Sequence, residues 1–307
     1  MFLYKDSIEM VFFMANEPQI LGIDVGGTSV KMGLLDQNGG VAGVRQIDMV
    51  PGEPELMAGR MSELALEYDF DIIGVGTAGA VNHKTGLVSA GNLYWNNVPL
   101  RAMLEEAIGK PVWVDNDAQS ALMAEWHSGV IKGANCAVFV TLGTGLGGGL
   151  LIDGRPWRGE DNTAFELGHI VTHGGVYRKD GSTKEGRFEH YASGMGLSRM
   201  AGGRPAREVV MGVLANDAES LRIFDWFIHE LGLGLLTVNT LFKPEIIALG
   251  GGISAAGEYL LEGIRNKMSE LYGGRSRSAQ PAIHLVIHQN NAGMIGAAAL
   301  AKLYLVK

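Results

Sequence analysis

The segment Val112-Trp113-Val114-Asp115-Asn116-Asp117-Ala118 decides how the chain is organised. Its apolar, β-branched beginning is typical of a buried strand, and residues 119–126 have helical spacing. Side chains at the carboxyl end of a strand, just before a helix, point into the crevice where α/β proteins bind ligands. The sequence therefore predicts a functional site at Asp115, Asn116 and Asp117, with Asp115 and Asp117 as rival carboxylates.

Two glycine-rich segments predict a strand, a tight turn and a second strand: residues 20–36 and residues 137–152. Glycine lets the backbone approach a ligand closely, and the amides of such turns can face an anion. The second segment is not a P-loop, because no Lys follows its glycines, and it lacks the helix of a dinucleotide fingerprint. Two such hairpins indicate two similar half-domains that bind one nucleotide between them.

The first of these hairpins carries polar groups around its turn, Gly26-Gly27-Thr28. Thr28 offers a hydroxyl donor to a phosphate. Asp24 would repel a phosphate unless a Mg²⁺ ion, with waters, lies between them. The alternative is a plain tight hairpin in which Asp24 only caps the turn.

Three other segments suit a ligand, and each has a plainer alternative. Residues 92–97 combine amide and aromatic groups, which suits a sugar or a surface loop equally. Glu166-Leu167-Gly168-His169 could present two polar side chains to one ligand or form a solvated helical turn. The third glycine turn, residues 250–254, could receive a nucleotide base or its phosphates, or simply connect a strand to a helix.

The same patterns predict the remaining elements that bear on the site. Helices are expected over residues 53–68, 99–108, 206–241 and 258–269, and strands over residues 72–76, 246–249 and 283–287. The chain closes with the small-residue helix Ala292–Ala301, which suits close packing between domains.

Composition sets limits on the function. The 307 residues are 47% hydrophobic, which suffices for two domains with ordinary cores, and the net charge of -8 argues against nucleic acid as the main partner. The single Cys136 excludes an internal disulfide and favours a reducing, cytoplasmic compartment. The N-terminal residues lack the pattern of a signal peptide. The uncharged run 134–152 raises a membrane question, but its glycines and threonines favour a hairpin, so no membrane partner is expected.

In this order, the motifs resemble the ROK family of bacterial sugar kinases, within the hexokinase/Hsp70/actin superfold. The matching residues are Asp24-Val25-Gly26-Gly27-Thr28, Asn116-Asp117-Ala118, residues 141–149, Glu166-Leu167-Gly168-His169, Glu189 with Tyr191-Ala192-Ser193, residues 250–254, and the Ala292–Ala301 helix. The resemblance covers about residues 19–307. It implies an α/β, two-domain actin/hexokinase/Hsp70-like (ribonuclease H-like) fold with a cleft between the domains. The expected domains are 19–118 plus 292–307 and 119–291, after an N-terminal extension, 1–18.

The resemblance also implies ATP-dependent phosphorylation of a hexose, usually at its 6-hydroxyl. Asp117 would be the catalytic base, Asp24 would face Mg²⁺, and the family is commonly dimeric. The residues expected at the sugar are Gly79, Asn92, Asn116, Asp117, Glu166, His169 and Glu189. The residues expected at the nucleotide are Asp24, Gly26, Gly27, Thr28, Lys31, Thr141, Gly143, Thr144, Gly145, Gly251 and Gly252.

The chain departs from the family pattern in its metal motif. Most members bind zinc through the histidine of the Glu-x-Gly-His motif and a cysteine cluster, but residues 170–188 contain no cysteine. Zinc is therefore not expected, and His169 must be oriented by other contacts. A zinc-free subset occurs among N-acetylmannosamine kinases, so that sugar stands beside glucose as a candidate substrate.

Two other classes of protein stand as alternatives to a sugar kinase at this point. A sugar-responsive regulator on the same fold would need an N-terminal helix-turn-helix domain, and residues 1–18 are too few for one. An actin- or Hsp70-like ATPase would have no use for Glu166-Leu167-Gly168-His169.

Overall fold

The computed structural model describes residues 17–160, 165–174, 186–273 and 280–306. The strands are β1 Ile20–Val25, β2 Ser29–Leu35, β3 Val41–Asp48, β4 Ile72–Thr77, β5 Ala80–Asn82, β6 Leu87–Ala90, β7 Trp95–Val98, β8 Val112–Asn116, β9 Ala137–Leu142, β10 Leu146–Ile152, β11 Arg155–Pro156, β12 Ile246–Gly250 and β13 Ala282–Leu285. The α-helices are α1 Pro54–Ala65, α2 Leu100–Ile108, α3 Asp117–Ser128, α4 Phe188–Ala192, α5 Gly194–Met200, α6 Ala206–Leu214, α7 Ala218–Phe242, α8 Glu258–Leu271 and α9 Ala292–Leu305.

Two five-stranded sheets repeat one design. Their strand orders are β3-β2-β1-β4-β8 and β11-β10-β9-β12-β13. In each sheet an antiparallel hairpin comes first, β1 with β2 and β9 with β10, and two further strands then pair in parallel. The predicted glycine hairpins are thereby confirmed, as is their placement in two similar halves of the molecule. A small sheet, β5-β6-β7, extends the first half.

The first sheet delivers three strand ends to one edge. β1, β4 and β8 run parallel, and their register aligns Asp24 with Gly76 and Asp115. β1 is buried on both faces, with Leu21 and Ile23 on one side and Ile20 and Gly22 on the other, as expected of a central strand covered on both sides. The side chains that follow these strands therefore meet at the same crevice.

Helices α3 and α9 lie between the two sheets. Glycine residues allow α9 to pack closely against α3 and against β1. A Cβ built on Gly296 of α9 would lie 1.6 Å from the carbonyl oxygen of Ser120 in α3, and one built on Gly22 of β1 would lie 2.1 Å from that of Met294. The close packing predicted for the last helix is confirmed. Besides α9, α3 contacts β4 and β8 of the first sheet and β9 and β10 of the second. The domain boundaries around residue 118 stay a prediction, since α3 is shared in this way.

Two predicted elements end earlier than their patterns suggest. The helical region 206–241 is broken at residues 215–217, where Asn216 is left-handed (φ 55°) and the Asp217 carboxylate caps α7 by accepting from the Ser220 amide at 2.8 Å. The strand predicted over residues 283–287 stops at Leu285, because the Ile287 and His288 amides donate to the buried Glu125 carboxylate instead. Among the described residues, no helix is both long and apolar enough to span a bilayer.

Candidate functional site

A cavity of about 530 Å³ lies between the two sheets. It is lined from the first half by the loop after β4 and the start of α3, and from the second half by the second glycine hairpin. Of the residues predicted at the sugar or nucleotide, it brings together Gly79, Asn116, Asp117, Thr141, Gly143, Gly145, Glu166 and Glu189. Most of the predicted sugar-binding side chains therefore do share one site.

Asp117 is the first residue of α3, and it is accessible to solvent where it lines this cavity. Its Oδ1 accepts from the Ala118 amide at 2.8 Å. Burial by the surrounding protein raises the pKa of Asp117, and the charge of Glu166 adds to the rise, while hydrogen bonds from Ala118 and Asn116 oppose it. A carboxylate with a raised pKa that faces a cavity is a suitable proton acceptor.

Asn116 fixes the start of α3 and the neighbouring loop. Its Oδ1 accepts from the amides of Ala118 (2.8 Å) and Gln119 (3.4 Å), which caps the helix, and its Nδ2 donates to the carbonyl of Gly79 at 2.8 Å. Gly79 has φ +93°, and a Cβ there would lie 2.4 Å from the Ser89 carbonyl oxygen, so the loop requires glycine. Asn116 thus has a clear structural task, and its direct contact with a sugar stays a prediction.

Asp115, the rival carboxylate, is buried, and both of its carboxylate oxygens already accept hydrogen bonds. Its Oδ1 accepts from the Asn116 amide at 2.9 Å, and its Oδ2 accepts from Trp113 Nε1 at 3.0 Å. The same oxygen forms an ion pair with Arg158, which is also buried. A carboxylate already held by three donors is a poor proton acceptor, so the geometry favours Asp117 as the base.

Asp24 is the penultimate residue of β1. It lies beside Lys31 of β2 and against Gly293, where a Cβ would lie 2.4 Å from Asp24 Cγ. Burial raises the pKa of Asp24 to about 6, and the negative charge of Asp117 contributes, while Lys31 opposes the rise. Two carboxylates that repel each other across a cleft that is predicted to bind phosphate fit a divalent cation, for which carboxylate oxygens are preferred ligands. Among the described residues no group of three or more His, Cys, Asp or Glu side chains could hold a metal, so most ligands of such an ion would come from phosphates and water.

The turn of the first hairpin is held by the Gly26 amide, which donates to the Ser29 carbonyl at 3.0 Å. Gly27 and Thr28 are exposed at its tip. Asn92 lies here too: its Nδ2 would be 3.2 Å from a Cβ built on Gly27. The structure therefore places Asn92 beside the predicted phosphate turn and outside the lining of the 530 Å³ cavity, and its role as a sugar ligand stays a prediction.

A larger cavity of about 1120 Å³ adjoins the second hairpin. Of the residues predicted at the nucleotide, Gly143, Thr144 and Gly252 line it, and α5 and α6 form its opposite wall. The Gly194 amide at the start of α5 donates to the Gly143 carbonyl at 2.8 Å, which fixes the hairpin against this wall. Gly251 has φ +86° and lines a third cavity of about 360 Å³ with Thr141 and Gly252.

Glu189 of α4 joins the predicted Glu-x-Gly-His motif to the second hairpin. His169 Nε2 is 3.8 Å from Glu189 Oε1, and a Cβ built on Gly145 would lie 3.6 Å from Glu189 Oε2. His169 itself is half exposed and is not among the residues that line the cavity, so its direct contact with a sugar stays a prediction. Part of the cysteine-free interval, residues 175–185, lies outside the described residues, so the absence of zinc stays a prediction.

A family model described as ROK family matches residues 20–303. The chain belongs to the ROK family. A ROK relative, a glucokinase of Streptomyces coelicolor, is 32% identical over 92% of this chain and 97% of its own. The crystal structure of a ROK family glucokinase from Streptomyces griseus, in complex with glucose and AMPPNP, is 30% identical and covers 93% of this chain and 99% of its own, with a TM-score of 0.77. An N-acetyl-D-glucosamine kinase of Aliivibrio salmonicida is 28% identical over 76% of this chain and 84% of its own.

These similarities confirm the predicted family and the two-domain actin/hexokinase-like fold. Within that ROK fold, three residues that line the smaller cavity were not predicted from the sequence: Arg158, Phe165 and Gln119. Phe165 is left-handed (φ 68°), and the Oε1 of Gln119 is buried without a hydrogen-bond partner among the described residues. Their sequence contexts carry no motif that would have signalled them.

The apolar wall of the larger cavity was also missed, although the sequence held a signal for it. Met211 and Leu214 of α6 are 59% and 55% exposed, while Val209, Val210 and Val213 of the same helix are buried. The helix therefore has more apolar residues than its core-facing side needs, which is typical of a helix that also lines a ligand cavity.

Proposed function

We propose that the protein is an ATP-dependent sugar kinase that transfers the γ-phosphoryl group to a hexose hydroxyl. One observation carries the proposal: Gly143 lines both the apolar cavity, which is large enough for a nucleoside, and the polar cavity that Asp117 faces. A nucleotide in the first cavity would direct its phosphates along the glycine hairpin toward the second. The acceptor sugar would lie in the second cavity, beside an available carboxylate.

Each wall of the smaller cavity has a part in binding. Glu166 and Glu189 accept hydrogen bonds from sugar hydroxyls, and the Gly79 loop closes the opposite side. His169 acts through Glu189, whose carboxylate it orients from 3.8 Å. Thr28 and Lys31 face the outer phosphates from the first hairpin, and Gly251 and Gly252 the adenosine.

The reaction needs one proton transfer and one displacement. Asp117 accepts the proton of the sugar hydroxyl while its oxygen forms a bond to the γ-phosphorus and the bond to the bridging oxygen of ADP breaks. Asp24 is the residue that would hold Mg²⁺, which supplies charge neutralisation on the phosphates when bound. Closing the two halves of the molecule around both substrates excludes water, which would otherwise compete as the acceptor.

The sugar is proposed to be glucose or an N-acetylated hexosamine, phosphorylated at the 6-hydroxyl. The names of the relatives support both choices, and the cysteine-free segment keeps N-acetylmannosamine as an alternative. A homodimer in the cytoplasm is proposed with it, on the family resemblance and the single cysteine.

The test of the proposed base is Asp117→Asn. We expect turnover to fall by about 10²–10⁴-fold, because a neutral amide cannot accept the proton, with the sugar Kd nearly unchanged. Steady-state kinetics and calorimetry measure the two quantities. Asp153→Asn is the control: it replaces a left-handed turn residue (φ 53°) outside the described cavities and is expected to be neutral. Near-native turnover of Asp117→Asn would contradict the assignment.

The test of the reaction is ADP release with glucose, N-acetylglucosamine, N-acetylmannosamine, fructose, mannose and allose. Turnover that requires one of these sugars supports the proposal. ATP turnover that is independent of sugar would favour an Hsp70-like ATPase, and sugar binding without any turnover would favour a sugar sensor.

A further inference from the structure

An ion pair buried beside the cleft joins the two halves of the molecule. Asp115 lies on β8, an edge strand of the first sheet, and Arg158 follows β11, an edge strand of the second. Their side chains are 5% and 8% exposed. Isolated buried charges are costly, so each of these residues depends on the other.

Aromatic rings enclose this pair. The Trp113 ring stacks on Tyr304 of α9 with centroids 4.2 Å apart and an interplanar angle of 10°. The Arg158 guanidinium lies 5.2 Å from the centre of the Tyr304 ring, and its Nη1 is 3.5 Å from the Tyr304 hydroxyl. Contacts among these four side chains therefore hold strand β8, α9 and the segment after β11 together.

Each partner is rigidly connected to one part of the catalytic centre. Asp115 Oδ1 accepts from the amide of Asn116, the residue just before the proposed base. On the other side, Leu151 and Ile152 of β10 pair with β11, and the Trp157 amide donates to the Leu150 carbonyl at 2.7 Å. Arg158 is thus fixed to the second strand of the phosphate-binding hairpin.

We propose that Arg158 is a positioning residue for phosphoryl transfer. Through Asp115 it fixes the end of β8 against the second glycine hairpin, and so keeps Asp117 at the distance from the γ-phosphate that the reaction requires. The inference rests on the proposed kinase function, because it assigns Arg158 a task within that reaction.

The proposal predicts that loss of Arg158 lowers kcat but leaves the KM for ATP nearly unchanged. Arg158→Met leaves Asp117 and both hairpins intact but removes the connection between them, so kcat is expected to fall by about 10–100-fold through misalignment. The KM for ATP is expected to change by less than about threefold. Although Thr28 and Lys31 of the first half face the outer phosphates, the nucleoside binds in a cavity whose described lining comes entirely from the second half of the molecule. If Arg158 served folding alone, the substitution would lower Tm without lowering kcat selectively relative to the KM for ATP.

A double-mutant cycle shows whether the two residues act as a unit. Asp115→Asn is expected to lower kcat as Arg158→Met does. The double variant is expected to be no slower than Arg158→Met, because it removes the carboxylate that the single variant leaves buried and unpaired. Additive losses would show that the two side chains act separately, and would overturn the inference.

The control is Arg45→Met, which breaks a half-exposed ion pair with Glu67. Neither residue lines any of the three cavities at the candidate site, and the substitution is expected to leave kcat unchanged. If Arg158→Met yields no folded protein, Arg158→Lys replaces it, because lysine keeps the charge without the planar fork. Wild-type kcat in either Arg158 variant would overturn the inference. Absence of sugar-dependent turnover in the wild-type protein would instead contradict the proposed function.

Discussion

Asp24 is held in an unfavourable ionised state. Its pKa in the folded protein is about 6, against an ordinary value of 3.8. Because the folded pKa is the higher one, the ionised carboxylate costs stability above pH 6, by about 2–3 kcal/mol, and the cost disappears below about pH 4. Such a cost is common at binding sites, because a group arranged to bind a ligand often destabilises the protein when the ligand is absent.

Asp24→Asn is therefore expected to stabilise the ligand-free protein while it weakens catalysis. The gain in the free energy of unfolding should be about 2–3 kcal/mol at pH 7.5 and should vanish near pH 4. Thermal unfolding between pH 4 and pH 8 measures it, with Asp153→Asn as the control that shows no such pH-dependent gain. A gain that persists unchanged at pH 4 would show that the ionised form is not the cause.

The choice between neighbouring residues was the part of the site that sequence could not settle. The pattern around Val112–Ala118 located the carboxylates correctly. By itself the pattern left Asp115 and Asp117 as rivals, and only the family resemblance pointed to Asp117. What separates them physically is Arg158, 43 residues further along the chain than Asp115. Asn92 shows the same limit, since its amide and aromatic neighbours suit a sugar but say nothing about which hairpin it lies against.

At the scale of the elements, the interface between α3 and α9 leaves no room for a side chain at Gly296. Gly296→Ala would place a Cβ 1.6 Å from the Ser120 carbonyl oxygen, where only a shift of the helices can relieve the clash. We expect a loss of about 3 kcal/mol or more in the free energy of unfolding. Because α3 begins with Asp117, kcat should fall as well. Urea unfolding and steady-state kinetics measure the two effects.

Gly59→Ala is the matched control for this substitution. Gly59 lies within α1, and a Cβ there meets no atom within 4 Å. Alanine is therefore expected to stabilise the protein by about 0.5–1 kcal/mol with no effect on activity. Equal destabilisation by both substitutions would mean that the close approach of α3 and α9 is not what makes Gly296 necessary.

Elements with strong local signals were the ones that sequence predicted well. Glycine turns between apolar runs identified both hairpins, and the run of small residues identified α9. The break between α6 and α7 was missed because apolar residues continue at helical spacing on both sides of it, while the capping carboxylate of Asp217 is a single local feature. The early end of β13 depends on Glu125, which is distant in sequence and could not be inferred.

On the scale of the whole molecule, the two cavities proposed to bind sugar and nucleotide share part of their lining. The smaller cavity is lined from both halves of the molecule, and Gly143 of the second hairpin also lines the larger one. A sugar that draws the two halves together therefore also completes the environment of the phosphates. Binding of one substrate should lower the conformational cost of binding the other.

This arrangement predicts positive, reciprocal coupling between sugar and nucleotide. A non-hydrolysable ATP analogue is expected to lower the Kd of the sugar by about 5–150-fold, and the sugar should lower the Kd of the analogue by the same factor, as thermodynamic linkage requires. Calorimetric titrations in both orders measure the two factors. Asp117→Asn should retain the coupling, because it changes proton transfer and leaves closure intact. Equal affinities with and without the second ligand would mean that the two halves of the molecule already hold their closed arrangement before either substrate binds.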